Sequence, residues 1–127
     1  MNDEKKKIGG FEDLDAWKEG HKLVISLYST TRSFPKDELF ALTSQMRRAG
    51  VSITSNIAEG FGRETYKDKS HFYQMSLGSI LEIQNQLIIA RDVNYLNEDA
   101  FYEIMEQAKK VEAICRGLIR KSKSFYS

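Results

Sequence analysis

One proline, one cysteine, one tryptophan and two histidines in 127 residues rule out several common ways of building a protein. The single cysteine, Cys115, cannot close an internal disulfide. It sits in an apolar helical pattern, which reads as a buried, inert thiol rather than a nucleophile. Neither sign of charge dominates, with 19 Lys and Arg against 18 Asp and Glu and a net charge of +1. Whole-molecule electrostatics therefore select no polyanionic partner, and any basic surface has to be local. There is no run of about 18 apolar residues, so no membrane span is expected. The opening Met-Asn-Asp-Glu-Lys-Lys-Lys has no apolar stretch behind it and does not read as a secretion signal, which points to the cytoplasm. Cys-x-x-Cys, a Walker-type glycine loop and Gly-x-Ser-x-Gly are all missing.

A carboxylate-bridged di-iron enzyme needs two Glu-x-x-His pairs and further inward glutamates. Here the nearest approach is Asp68 before His71, at an exposed helix start, and half the ligands are missing. No metal, cofactor or catalytic residue is assigned, and the chain reads as non-enzymatic.

What is present is helical periodicity at about 100° per residue. Residues 1–12 read as a mobile basic arm, with Lys5, Lys6 and Lys7 as a solvated run. Helix 1 is expected over 14–31, capped by Asp13, with Trp17, His21, Val24, Tyr28 and Thr31 facing the core and Leu14, Ile25 and Leu27 widening that face. His21 on that face reads as a hydrogen-bonded core histidine. Phe34-Pro35 ends the segment, because a residue before proline is pushed out of the α region. Helix 2 is expected over 37–59 with Gly60 as a left-handed cap, and its core stripe is Leu42, Met46, Ala49, Ile53 and Ile57. Helix 3 is expected over 67–93, with Phe72, Tyr73, Leu77, Ile80, Ile83, Leu87 and Ala90 as a broad apolar face, and Gly78 in its interior implies close approach of a neighbouring helix. Helix 4 is expected over 98–122, capped by Asn97, with a 3-4-3-4-3 stripe of Phe101, Ile104, Ala108, Val111, Cys115 and Leu118. Residues 123–127 form a tail whose Phe125 and Tyr126 are candidates to dock on a neighbour. Four amphipathic helices with short connections and no strand pattern give an all-α, antiparallel, up-down four-helix bundle over 13–122.

Two surfaces stand out. Beside the apolar stripe of helix 2 runs a polar one, and Ser52, Asn56, Glu59 and Arg63 with Ser79 and Glu82 of helix 3 form a candidate polar seam. Small and amide side chains there fit an internal network that registers two helices better than a substrate pocket, since buried polar groups must be paired. Phe40, Val51 and Ala58 point a third way, which implies a helix enclosed on two sides. The second surface is basic: Arg47 and Arg48 on helix 2, and Lys109, Arg116, Arg120 and Lys123 on helix 4, are candidate phosphate contacts.

Several pieces occur in a familiar order: Phe11 to Trp17, Tyr28 with Phe34-Pro35, Leu42 to Arg48, Ser52-Ile53-Thr54-Ser55-Asn56-Ile57-Ala58-Glu59-Gly60-Phe61-Gly62-Arg63, Phe72, Gly78-Ser79, Glu82 and Tyr95-Leu96. In these the chain resembles the bacterial four-helix-bundle proteins encoded by intervening sequences within large-subunit ribosomal RNA genes. That family is similar in fold to the accessory protein of diversity-generating retroelements, a pentameric barrel that binds nucleic acid alongside a reverse transcriptase. The resemblance implies a homopentamer with a basic surface, RNA or DNA as a partner, and no known catalysis. Thr54 stands where the family commonly has proline, which implies a softer kink in helix 2, and Gly50, where alanine is usual, restores some of that flexibility. The alternative is a structural or protein-partner module that binds no nucleic acid.

Overall fold

The computed structural model describes residues 7–126, and among them there are four α-helices and no strand. They are α1 (Asp15–Thr31), α2 (Leu42–Phe61), α3 (Tyr66–Asp92) and α4 (Glu98–Lys123). Each packs on its neighbours in chain order and α1 closes against α4, while the diagonal pairs do not touch among the described residues. The result is an antiparallel four-helix bundle. Lys5 and Lys6 of the expected basic arm lie outside the described residues.

The core is apolar along the axis, with Leu23, Leu27, Met46, Ile53, Ile57, Ile80, Ile83, Leu87 and Val111 fully enclosed. Apolar burial says which face turns inward but not which turn meets which. That register is set by polar bridges, of which each seam has at least one. Arg47 Nε donates to Thr31 Oγ1 at 2.9 Å between α1 and α2. Ser76 Oγ donates to the Ile53 carbonyl at 2.8 Å between α2 and α3. Gln84 Nε2 donates to Glu112 Oε1 at 2.8 Å between α3 and α4, and Gln107 Nε2 donates to the Glu19 carbonyl at 2.9 Å between α4 and α1. A slip of one turn on any seam would strand a donor, at about 1–3 kcal/mol for each one buried.

One end of the bundle is fastened through its loops. Helix α3 ends in a Schellman arrangement: Tyr95 N–H reaches the Ala90 carbonyl, Asn94 N–H reaches the Arg91 carbonyl, and Asn94 takes φ 65°. Tyr95 then donates its hydroxyl to Glu38 Oε2 at 2.7 Å and packs against Phe34. The other oxygen of Glu38 accepts the Leu42 N–H at 3.2 Å, so this carboxylate caps the start of α2.

Several expectations are corrected here. Helix α2 begins at Leu42 rather than Asp37, because Lys36–Glu38 form a separate 3-10 turn and the cap is borrowed from Glu38. Asp13 does not cap α1. It closes its own turn backwards, accepting the Gly9 and Gly10 N–H groups at 2.8 and 3.3 Å. On α1 the expected Val24, Leu27 and Thr31 are buried and Leu14 and Trp17 are partly so, but Ala16, Gly20 and Leu23 complete the inner face while Ile25 and Tyr28 are exposed. His21 is also exposed, stacked on Trp17 at 4.8 Å. Gly60 is no left-handed cap: it lies inside α2, which ends at Phe61 with Gly62 in the right-handed region. A Cβ on Gly60 would stand 2.8 Å from Tyr73 Cε1, so its small size serves the α2–α3 contact. At Gly78 the reverse holds: nothing lies within 4 Å of a built Cβ, and no helix of the same subunit approaches it.

Candidate functional site

The polar seam is half inside and half wet. Asn56 Nδ2 donates to the Ser52 carbonyl at 2.9 Å and to Ser52 Oγ at 3.0 Å, and Ser79 Oγ donates to Ser52 Oγ at 2.9 Å. These residues tie α2 to α3. Glu59 and Arg63 pair with each other at 2.9 Å on the surface, and the Glu59 side chain is 56% exposed. Glu82 accepts from Gln86 Nε2 at 3.2 Å. Gln86 is buried, and its Oε1 has no hydrogen-bond partner among the described residues. Within one subunit, then, the six residues form a small serine–asparagine cluster, a solvated ion pair and a separate glutamate–glutamine pair.

Next to the seam, a shallow groove of about 600 Å³ runs between α1 and α2, lined by Tyr28, Leu39, Phe40, Arg48 and Val51 among others. Phe40 is 92% exposed and Leu39 and Val51 are about half exposed. Met75 and Ile89 of α3, and Val93 just after it, are also exposed. Such apolar side chains on adjoining helices form a patch rather than scattered exceptions.

The basic residues divide into two groups. Arg47 is drawn against α1: it donates to Thr31 and to the Tyr28 carbonyl at 3.4 Å, and its guanidinium lies 4.7 Å from the Tyr28 ring centre. Arg48 lies at the edge of the groove. On α4, Lys109, Arg116, Arg120 and Lys123 are all exposed and follow one another at helical spacing along the side facing α3. The last three, with Gln74, Leu77 and Ile119, line a depression of about 230 Å³ between α3 and α4. Glu112 lies within the same stripe. Gln84 and Arg116 hold its carboxyl below the ordinary value. Because α2 and α4 are diagonal, the two basic groups do not converge within one subunit.

The other reactive groups are structural. Cys115 is fully buried and its thiol donates to the Tyr73 carbonyl at 3.4 Å. Burial pushes that thiol up to about 11, which leaves it protonated and inert near neutrality. His71 is exposed, and among the described residues no three His, Cys, Asp or Glu side chains gather as a metal site. No described helix is long and apolar enough to cross a membrane. Phe125 of the tail stacks on Tyr66 of α3 at 4.4 Å.

With four packed helices and the Ser52–Asn56–Ser79 cluster in view, comparison with known proteins is decisive. The sequence profile described as 23S rRNA-intervening sequence protein matches residues 12–117. The chain belongs to that family. A search of curated proteins found no match in sequence. Among solved structures, the intervening-sequence chain is similar to a protein with unknown function from the S23 ribosomal protein family of Bacteroides thetaiotaomicron VPI-5482, solved at 1.70 Å. The TM-score is 0.76 at 15% identity, over 83% of this chain and 95% of that one. At that identity the likeness establishes the shared fold.

Sequence reasoning finds the α4 cations, since their spacing is visible in the chain. It misses the groove, because Leu39 and Phe40 fall where the pattern predicts a helix. It also misses Gln86 and Gln84, whose burial no periodicity signals.

Proposed function

We propose that this intervening-sequence protein is a non-enzymatic cytoplasmic accessory factor that assembles with copies of itself, as a pentamer, and binds nucleic acid through the α4 stripe. One observation carries the reading. The unpartnered apolar surface lies on the α1–α2 wall and reaches the outer face of α3, whereas Lys109, Arg116, Arg120 and Lys123 lie towards the opposite, α3–α4 side. Association through the first surface leaves the second open, and repeating a modest stripe around a ring multiplies its attraction for a polyanion. Gly78, with open space before it one turn from exposed Met75, fits close approach by a second copy. The family description refers to ribosomal RNA, in keeping with this reading.

Fluorescence anisotropy with labelled single- and double-stranded oligonucleotides at rising salt tests it. The expected result is tight binding at low salt, a linear fall of log affinity with log salt, and marked loss in an R116E/R120E double variant. No binding at low salt, or binding indifferent to salt, overturns it. The second reading, a protein-partner module, draws on the Phe40 groove, which is apolar enough to take a foreign helix. It predicts no salt-dependent binding and leaves the α4 cations without effect.

A further inference from the structure

Resting on the reading of α4 as a phosphate-binding surface, we infer that its ligand is single-stranded nucleic acid, with bases stacked on the Tyr66–Phe125 pair at one end of the stripe and Tyr102 at the other. The cations alone would not distinguish a strand from a duplex, because both present phosphates. What surrounds them does.

From Lys109 to Lys123 the stripe is about 21 Å long at 1.5 Å per residue. Tyr102 is seven residues before Lys109, hence on nearly the same line of α4, and it is 61% exposed. At the far end, just past Lys123, Phe125 lies against Tyr66 at 4.4 Å with 27° between the ring planes, and both rings are exposed. Lys67 follows Tyr66, and it is seven residues before Gln74, which shares the depression with Arg116 and Arg120. A further exposed cation thus stands at the aromatic end. Along α3, the flank beside the stripe is Leu77, Leu81, Gln84 and Ile88, of which Leu81 and Ile88 are exposed. A row of cations edged by aliphatic side chains and closed by aromatic rings suits a strand whose bases are splayed out, since each base offers a ring face to stack and an apolar area to bury. A duplex keeps its base faces stacked on one another and would leave that apolar edge in water. Glu112 lies in the row, but Gln84 and Arg116 occupy both its oxygens. Glu106 lines the depression on the other flank of α4, against α1.

The test compares a roughly 12-nucleotide labelled single strand, as DNA and as RNA, with the duplex of the same sequence, on the full chain. Wild type should bind either strand at least about tenfold more tightly than the duplex. F125A should weaken strand binding about fivefold or more while leaving the duplex unchanged, and F125W should restore it. R120A should lower the slope of log affinity against log salt by about 0.7 for the strand. A thermal melt of each variant controls for folding, and Phe125 lies beyond the end of α4. Equal binding of strand and duplex, with F125A without effect, overturns this inference while R120A still supports the basic surface. Absence of any binding at low salt overturns both.

Discussion

Alanine at Gly60 and at Gly78 should move the stability of the subunit in opposite directions, although both glycines lie inside long helices. Each substitution removes the same intrinsic cost of a helical glycine, about 0.5–1 kcal/mol in favour of the fold. At Gly78 nothing in the subunit lies within 4 Å of the new methyl, so that gain is kept. At Gly60 the methyl would meet Tyr73 Cε1 at 2.8 Å and Phe72 Cβ at 3.0 Å. Tyr73 is buried and Phe72 Cβ moves only with its backbone, so the two helices must part slightly. Overpacking of this kind costs about 1–3 kcal/mol. G60A should therefore lose about 1–2 kcal/mol on balance and G78A gain about 0.5–1 kcal/mol. Urea unfolding followed by circular dichroism measures both, in an F40S background to keep subunits apart and with m-values compared to confirm that the same surface unfolds. If the two variants shift together, or G60A proves the more stable, the packing of α2 on α3 is not as described.

Other outcomes follow from single contacts. Gln107, Lys22 and Lys110 hold the Glu19 carboxyl down to about 2. A carboxylate lowered in the fold stabilises above its ordinary 4.5 and loses that contribution as pH falls towards 2. With both lysines largely exposed, E19Q should cost about 1 kcal/mol at pH 7 in urea titrations, and the gap from wild type should close near pH 2. Cys115 should react with a thiol-specific chromogen at pH 8 roughly 100-fold more slowly in the native protein than in denaturant, and equal rates would place the thiol outside the core. N94A should lose about 1–2 kcal/mol and N94G little or nothing, because the left-handed turn penalises a Cβ that asparagine tolerates. A harmless N94A would mean the α3–α4 turn does not need that conformation.

The long stripes of α2 and α4 are legible because their core positions are aliphatic and evenly spaced: Met46 to Ile57 and Phe101 to Cys115 are buried as the period demands. On α1 the expected Val24, Leu27 and Thr31 are buried, but the eye also follows His21 and Tyr28, which are exposed, where the core takes Ala16, Gly20 and Leu23. Small residues let α1 sit close to α2, and the bulky rings are left to flank the contact, so size misleads where closeness is selected. The start of α2 is hidden because its cap, Glu38, arrives from a separate turn and is positioned by Tyr95, far along the chain. On α3 the expected face is the one buried, with Tyr73, Ile80, Ile83, Leu87 and Ala90 inside and Leu77 partly so, but its period does not announce the exposed apolar residues Met75, Leu81 and Ile89 on the outer side. The candidate site is legible as a set of α4 cations. Their aliphatic and aromatic surroundings depend on how α3 and the tail fold back beside them.

Whether the exposed α1–α2 and α3 surfaces are completed by further copies is answered most directly by solution mass, from sedimentation velocity at micromolar concentration. Five 14.6 kDa chains give a single species near about 73 kDa, and replacing the almost fully exposed Phe40 by serine should dissociate it without unfolding the helices. A stable, helical species of one chain's mass, unchanged by F40S, would contradict it.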